Sequence, residues 1–549
     1  MGRKTKRSHW LLRLGLCLLL GLLLLFGLWF FYGSPWYTPA VVVSRQTTYL
    51  TEPLLAEDGL PDYLEVINRR YSQGVTPENN AAVVWWQALG REPDSFPTPP
   101  EVFRQLGIKP PARKRGFDFS IEQVVVFANR DQRIEYLDKV GMLWIKFNSY
   151  PWRSEDFPVF SRLLDRNREW LDLCVQGSRR TRFFSPVFTD TPQARLVGAW
   201  VVPLEEIRIM GRRLAARAMR HLGHGRVQAA WRDIYALKRS GRLLQQSWDA
   251  HGLLVAYALE GLACNALNTL LARHHSSEEE ALAWLKQWDQ LPPPQSMGER
   301  IDFSTRLFTL SLILAHCQGL PVMYDRDDPP SWWQKFLIQM DPNLAMRICN
   351  QLFDQTRPLL ELPPSQKRLD QVDRLLVSWE SQVDARRQQA LWFPLSRRAR
   401  TQYAAWELTT GVLSSSLILL TAELRARQRH LLGRVGLALA VYRARHGEYP
   451  QKLDALVPEL LEEMPQDFFA GKPLVYRRTK KGYLLYSVGP SGKDHGGRDG
   501  NPDELDNVGD DVLLRIPPRW LEKPLPPEPP LPPGARFRQT DESPKEPKE

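Results

Sequence analysis

The stretch MPQDFFAGKPLVYRRTKKGYLLYSVGPSG, residues 464–492, sets the architecture of the C-terminal part of the chain. It contains two runs rich in aromatic and β-branched residues, LVYRR and YLLYSV, separated by a short turn. Runs of this composition bounded by glycine and proline predict β-strands. Upstream, GRVGLALAVYRARHGEYP (433–450) predicts the end of a long helix that stops at Gly447 and Pro450. We therefore predict a small α+β domain at 425–516 with antiparallel strands.

An acidic, glycine-rich loop follows the second predicted strand. The sequence GPSGKDHGGRDGNPDELDNVGDD (489–511) gathers carboxylates between glycines and then returns to an apolar run. Many like charges on one loop are repulsive unless a cation offsets them. Calcium binds oxygens from carboxylates and carbonyls, and glycines let the backbone turn its carbonyls inward. The loop therefore favours a calcium site without EF-hand spacing, and a solvated acidic loop with no ion is the alternative.

The order of these segments resembles the globular domain of the major pseudopilins of type II secretion, a pilin-like family. The resemblance covers 425–516 and is carried by four motifs, namely the helix end with Tyr442 and Tyr449-Pro450, MPQDFFAGKPLVY, YSVGPSG, and Gly509-Asp510-Asp511. It implies a pilin-like α+β fold and one calcium ion bound by the acidic loop. The residues that it places at the ion are Ser491, Asp494, Asp510 and Asp511, with Ser491 where the family has an aspartate.

The N-terminus departs from that family. Pseudopilins begin with a basic leader, a glycine cleavage site and a glutamate soon after it, whereas RLGLCLLLGLLLLFGLWFFYG (13–33) contains no glutamate. A pilin-type cleavage site is also absent just before residue 425. We therefore expect a fixed membrane protein that carries a pilin-like domain, and not a subunit that is processed into a pseudopilus.

Residues 14–32 carry no charge, and a run of this length is sufficient to cross a bilayer, which takes about twenty residues. Five basic residues precede the run, and the next charged residue after it is Arg45. The positive-inside rule then places the N-terminus in the cytoplasm and the bulk of the chain across the membrane. A cleaved signal peptide is the alternative, but the run exceeds a typical signal core and no A-x-A site follows it.

The middle of the chain has helical periodicity. Apolar residues recur every three or four positions over 204–222, and HLGHGR then interrupts the pattern before a second helix. The pair RRLAARAMRHLGHGRVQAAWRDIYALKR (212–239) resembles one tetratricopeptide (TPR) unit, although no second copy follows at a spacing of about 34 residues. We expect an irregular, TPR-like helical region in which 252–272 and 408–422 are core helices and not further spans.

These patterns predict a mainly α protein with an N-terminal transmembrane helix and a small C-terminal α+β domain. The composition of the last segment, which is rich in proline and charge, predicts disorder. The regions are a cytoplasmic basic segment (1–13), a transmembrane signal anchor (14–32), a mixed and mostly helical region (33–200), a helical hairpin or solenoid region (201–424), the pilin-like domain (425–516) and a proline-rich tail (517–549).

The sequence contains no recognisable catalytic motif, since HExxH, GxSxG, the P-loop and a strand-linked GxGxxG are all absent. His221 and His224 flank a turn, where helix capping is a better interpretation than a metal site. The net charge of +11 is interleaved with acidic residues, which favours a solvated basic surface over nucleic-acid binding. Five cysteines without a CxxC pair leave disulfide formation open, namely Cys17, Cys174, Cys264, Cys317 and Cys349.

Taken together, the sequence predicts a single-pass bacterial inner-membrane protein whose bulk is periplasmic. Helical repeats and pilin-like domains usually present surfaces, so we expect an interaction or scaffold role in secretion or envelope assembly, with calcium bound in the C-terminal domain. The alternative is an extracytoplasmic hydrolase with an unrecognised site in the helical region. The lipid bilayer, contacted through 14–32, is the one partner that the sequence identifies.

Overall fold

The structure of the protein is a computed structural model. Within the residues that it describes, the chain is mainly helical and has small antiparallel sheets that involve its C-terminal part, as the sequence predicted. The described residues are 15, 17–25, 39–55, 57–90, 98–111, 120–189, 192–199, 204–318, 340–392, 396–498 and 509–539.

Short helices around an aromatic core form the first part of the described chain. Trp86 and Phe147 are buried, and the ring of Phe147 meets that of Phe160 edge-on with 4.8 Å between centroids. Asn80 caps one of these helices by accepting a hydrogen bond from the Ala82 N–H. The helices are α1 (Tyr63–Ser72), α2 (Ala81–Leu89), α3 (Pro100–Gln105), α4 (Arg130–Lys146), α5 (Pro158–Arg166) and α6 (Arg168–Ser178).

A helical hairpin and a buried helix form the centre. Gly211 allows close helix packing here, because a Cβ at this position would lie 2.1 Å from a side-chain carbon of Leu259. The segment predicted as a core helix at 252–272 forms most of one long helix that lies largely inside the protein. The helices are α7 (Leu204–Gly223), α8 (Val227–Leu244), α9 (Ala250–Arg273) and α10 (Glu278–Asp289).

The described residues after α10 form the helices α11 (Met297–Arg300), α12 (Arg306–Cys317), α13 (Pro342–Leu360), α14 (Gln366–Trp392) and α15 (Arg397–His446). Helix α15 has 50 residues and ends at Gly447, whose φ of 78° is the left-handed conformation that favours glycine at a helix C-terminus. Helices α14 and α15 form an antiparallel hairpin in which Trp379 meets Trp406 edge-on at 6.0 Å between ring centroids.

A three-stranded antiparallel sheet follows α15. Its strand order is β2-β3-β4, with Val475 paired to Tyr486 and Ser487 paired to Val512. This confirms the strands predicted at LVYRR and YLLYSV and their antiparallel arrangement. The strands of the described chain are β1 (Val125–Val126), β2 (Val475–Thr479), β3 (Gly482–Ser487), β4 (Val512–Ile516) and β5 (Arg536–Phe537).

The sheet packs directly on the helical body. At Gly436 of α15, a Cβ would lie 3.0 Å from Leu514 of β4, 3.3 Å from Leu271 of α9 and 3.4 Å from the Tyr483 hydroxyl of β3. Helix α15 therefore belongs both to the predicted pilin-like domain at 425–516 and to the helical region. The two share a helix and a core, so no linker separates them near residue 425.

The proline-rich segment after β4 is ordered through residue 539, so the prediction of disorder is wrong for 517–539. Trp520 Nε1 donates to the Ser149 carbonyl at 3.2 Å, and β5 pairs with β1 on the N-terminal helices. Glu528 accepts from the Val159 N–H at 3.2 Å, and burial raises the pKa of Glu528 to about 7. Composition missed this docking because the segment is held by contacts with distant residues. Residues 540–549 lie outside the described chain.

Of the predicted span at 14–32, the structure describes residues 15 and 17–25, which are helical and exposed. Its remainder and the basic segment 1–13 lie outside the described residues, so the span stays a prediction. Two described helices, α9 and α15, have the length and hydropathy of a membrane crossing. In α9, 78% of the apolar window is buried inside the protein, against 39% in α15. All five cysteines are free.

Two fully buried carboxylates tie the helices together. Glu260 of α9 lies 2.5 Å from Lys238 Nζ and 3.4 Å from Arg242 Nη1, both on α8. Glu423 of α15 lies 2.5 Å from Arg368 Nη2 on α14. These five side chains have almost no exposed surface. Removing one partner of a buried ion pair lowers the stability of the fold, because the other charge is then buried without compensation. Each carboxylate is therefore needed to neutralise the buried cations around it.

We expect Glu260→Gln to lower the free energy of unfolding by about 3–5 kcal/mol, because Lys238 and Arg242 would then be buried without a counter-ion. Glu101→Gln is the matched control, since Glu101 pairs with Arg104 at the surface and an exposed pair contributes about 0–1 kcal/mol. Urea unfolding of the full chain, followed by circular dichroism, compares the two variants. Equal midpoints would contradict the role given to Glu260.

Candidate metal centre

Strands β3 and β4 place the two ends of the acidic loop side by side. Ser487 at the end of β3 pairs with Val512 at the start of β4, so 488–511 is one long hairpin connection. Gly489 has a φ of +68°, and a Cβ there would lie 2.1 Å from the Asp510 carbonyl oxygen. Glycine is therefore required where the two ends of the loop approach each other.

Asp467 fixes the start of the loop. Its buried carboxylate accepts hydrogen bonds from the Ser487 hydroxyl at 2.8 Å and from the Val488 N–H at 2.9 Å. It also accepts from the Phe469 N–H at 2.8 Å, within its own turn. The aspartate of the MPQDFF motif thus joins the segment before β2 to the end of β3, which is a structural role that the sequence left unassigned.

Three side chains of the connection converge close to the start of β4. Ligand atoms of His495, Asp510 and Asp511 lie within 4.8 Å of one another. His495 Nδ1 is 3.3 Å from a carboxylate oxygen of Asp510 and 3.4 Å from one of Asp511. Within the described part of the chain, this is the one group of three or more histidine, cysteine or acidic residues with such spacing.

Hydrogen bonds orient both carboxylates. Asp511 is buried, and its Oδ2 accepts from the Gly497 N–H at 2.8 Å and the Arg498 N–H at 3.1 Å. Asp510 accepts from Ser491 twice, from the N–H at 2.8 Å and from the hydroxyl at 2.7 Å. Backbone and hydroxyl donors of the loop therefore orient both carboxylates.

Asp494 has a different set of partners. Its Oδ1 accepts from the Gly496 N–H at 2.7 Å and from the Tyr486 hydroxyl at 2.9 Å. The bond from Gly496 holds the pKa of Asp494 below its ordinary value. Burial, and then the contact with Asp494, raises the pKa of Tyr486 to about 12. Asp494 is not a member of the converging group, so its hydrogen bonds support the shape of the loop.

The structure brings three of the four predicted site residues together. Asp510 and Asp511 face a common point, and Ser491 is the hydrogen-bond donor that holds Asp510. The prediction missed His495, which follows Asp494 in the sequence KDHGG. A histidine inside a glycine-rich acidic loop is the signal that could have revealed it, because imidazole is a frequent metal ligand.

The donor set suits a divalent cation. Two carboxylates and one imidazole nitrogen are ligands for zinc and related ions, whereas calcium takes six to eight oxygens. Four more acidic residues of the loop lie outside the described chain. A protonated His495 paired with both carboxylates is the metal-free alternative. The four further acidic residues are Asp499, Asp503, Glu504 and Asp506.

The two histidines at the α7–α8 turn do not form a joint ligand pair. The Ser154 N–H donates to His224 Nε2 at 3.2 Å, and the Ser154 hydroxyl lies 3.1 Å from the same nitrogen. His221 Nε2 lies 3.8 Å from Asp233, and burial lowers the pKa of His221 to about 4. Both contacts fit the helix-end role preferred from the sequence.

A cavity of about 610 Å³ is lined by the chain neighbours of Ser154 and His224, namely Arg153 and Gly223, but not by Ser154 or His224 themselves. Trp152, Arg153 and Gly223 line it from the helical body, and Leu525 and Pro527 line it from the docked C-terminal segment. The contact between the Ser154 hydroxyl and the His224 imidazole is the described feature that bears on hydrolysis. Among the described hydrogen bonds, none joins a carboxylate to the other nitrogen of His224, so the contact lacks the third member of a triad.

Comparison with protein-family models, with curated proteins and with solved structures finds no match for this chain. The resemblances to pseudopilins and to a TPR unit therefore rest on the residues quoted above and stay predictions. Function has to be argued from the geometry of the described chain.

We expect Gly489→Ala to destabilise the hairpin connection far more than Gly492→Ala. Both glycines have positive φ, near +68° and +67°, which costs a non-glycine residue about 1–2 kcal/mol. A Cβ added at Gly489 would also lie 2.1 Å from the backbone carbonyl oxygen of Asp510, whereas a Cβ added at Gly492 would meet nothing within 4 Å. Hydrogen exchange of 486–514 in the full chain measures the difference. Equal exchange rates in the two variants would show that the loop ends do not approach as described.

Proposed function

We propose that this protein is a single-pass, membrane-anchored scaffold of the bacterial cell envelope that exposes a cation-binding, pilin-like unit outside the cytoplasm. The observation that carries the anchorage is the helical segment at 17–25. Seven leucines between Leu18 and Leu25 are each more than half exposed. An apolar surface of that density is unstable in water and is stabilised by lipid.

The order of the C-terminal elements supports the pilin-like part. A helix of 50 residues is followed by a three-stranded antiparallel sheet that packs on the C-terminal half of that helix, around Gly436. The acidic loop then connects β3 to β4. This arrangement fits the resemblance to pseudopilins, and the shared helix α15 makes the unit a fixed extension of the helical body.

Topology tests the proposal. We expect alkaline phosphatase fused after Glu549 to be active in bacterial cells, because the enzyme needs the oxidising space outside the cytoplasm and the charge asymmetry around 14–32 exports the chain. A β-galactosidase fusion at the same position should be inactive. A variant without residues 1–38 is the control and should lose phosphatase activity. The reverse pattern, with β-galactosidase active in the full chain, would contradict the orientation.

The loop supports a role for one divalent cation. The resemblance to pseudopilins favours calcium, which is the ion that we propose, whereas the three described ligands alone suit zinc. Asp510 and Asp511 offer preset carboxylate oxygens, and the further acidic residues of 499–508 add oxygen donors in sequence. The ion would be held by these carboxylates and would join the two ends of the connection. That bond would stabilise the connection between β3 and β4.

We expect the full chain to bind one calcium ion, and the double variant Asp510→Asn, Asp511→Asn to bind none. Asp494→Asn is the matched control and should retain binding, because Asp494 bonds to Tyr486 and Gly496 instead. Calorimetric titration with calcium, magnesium and zinc measures all three proteins. Binding of zinc alone, lost in His495→Gln, would replace calcium by a histidine-dependent metal. No binding of any ion would leave the paired imidazole and carboxylates as the explanation.

A hydrolase is the second candidate function, and the contact between Ser154 and His224 is the observation that favours it. A serine hydroxyl 3.1 Å from an imidazole nitrogen has the distance of a nucleophile and its general base. The same nitrogen already accepts the Ser154 N–H, which weakens it as a base. A fluorophosphonate probe that labels the wild-type chain but not Ser154→Ala would favour this function over the scaffold.

A further inference from the structure

The tip of the α14–α15 hairpin exposes large apolar side chains. Leu391 is 66% exposed and Trp392 is 78% exposed, at the last two positions of α14. The sequence from 391 to 395 is LWFPL, of which 393–395 lie outside the described residues. Tryptophan is enriched where an apolar phase meets water, because its ring is apolar and its N–H is polar.

Positive charge surrounds this tip. Between Ala385 and Trp406 the sequence has five arginines and no acidic residue, and the exposed Asp384 and Glu407 border this range. Arg387 and Arg398 are exposed on the two helices, on either side of the tip. Arg386 stacks over the Trp406 ring at 3.9 Å, which joins α14 to α15 close to the tip. An exposed tryptophan within a cationic surface is complementary to an anionic lipid headgroup region.

The N-terminal segment enters the folded body near the same end. Asn343 of α13 donates to the Ala40 carbonyl at 2.9 Å and accepts from the Val42 N–H at 2.7 Å. Two residues before Asn343, the Asp341 N–H donates to the Thr401 hydroxyl at 2.9 Å. Thr401 lies in the second turn of α15, so the point where the N-terminal segment joins the body is beside the base of the hairpin tip.

The length of the connecting segment limits the distance to the bilayer. Ala40 lies eight positions after Tyr32, the end of the apolar run. A chain of that length spans at most about 28 Å. A bilayer that holds 14–32 therefore lies close to the end of the body at which Leu391 and Trp392 are exposed.

We propose that the α14–α15 tip inserts Leu391 and Trp392 into the anionic surface of the bilayer that holds residues 14–32. The exposed Arg387 and Arg398 bind lipid phosphates, for which a guanidinium has matching geometry. The inference rests on the proposed anchorage for the choice of bilayer. The tip would be a second contact between the body and the membrane. With two contacts the orientation of the body is fixed, whereas a single span would let it rotate.

Fluorescence of the full chain in nanodiscs tests the inference. Trp392→Cys, labelled with the environment-sensitive dye NBD, reports whether position 392 lies in lipid, and nitroxide-labelled lipids then quench it. Ile145→Cys is the matched control, since Ile145 of α4 is 57% exposed and lies away from the tip in sequence. The unsubstituted chain, labelled in parallel, gives the background from Cys17 and Cys317. We expect blue-shifted, quenched emission at 392 in phosphatidylglycerol nanodiscs and unquenched emission at 145.

Two further measurements test the role of the arginines and the anchorage at 14–32 independently. The double variant Arg387→Gln, Arg398→Gln should lower the equilibrium constant for insertion of position 392 into lipid by about thirtyfold. This is the effect expected when two cations are removed from an anionic surface. Resistance to carbonate extraction reports the span at 14–32 independently. An anchored chain whose label at 392 stays in water would overturn the tip contact alone, as would cross-linking of 392 to a second copy. A chain that carbonate extracts would overturn the anchorage.

Discussion

Two buried carboxylates, Glu260 and Glu423, decide how the helices of this protein can pack. Each lies among cations that are themselves buried, so the helices that carry those cations cannot separate without exposing uncompensated charge. Burial, and then the charges of both carboxylates, raises the pKa of Tyr257, which shows that the two ion clusters lie near one another. The clusters join α8 to α9 and α14 to α15 at the centre of the body.

Helix α15 extends well beyond the ion pair of Glu423 in both directions. Its 50 residues correspond to a helix about 75 Å long. The basic, apolar tip lies at its N-terminal end, and the three-stranded sheet packs around Gly436 near its C-terminal end. Because Glu423 fixes the helix against α14 between these ends, the proposed membrane contact and the candidate cation site are held apart by a single element.

Local patterns in the sequence predicted the elements but not their assembly. The strands at LVYRR and YLLYSV follow from composition, and α9 follows from the core helix predicted at 252–272. Neither the pairing of Glu260 with Lys238 nor the docking of 517–539 could be predicted, because both depend on residues distant in sequence. His495 was missed although it lies in the acidic loop, because only the fold shows that Asp510 and Asp511 lie beside it. The sequence also did not show that one helix, α15, runs through the predicted domain boundary near residue 425.

The central claim is that α15 holds the acidic loop far from the bilayer while its other end touches it. Energy transfer from a donor at Lys493→Cys, an exposed position in the loop, to acceptor lipids in nanodiscs measures this directly. With α15 along the bilayer normal, its rise between Arg397 and Gly436 corresponds to a separation of about 60 Å and hence weak transfer. Strong transfer from Lys493→Cys, equal to that from a donor at position 392, would contradict the account.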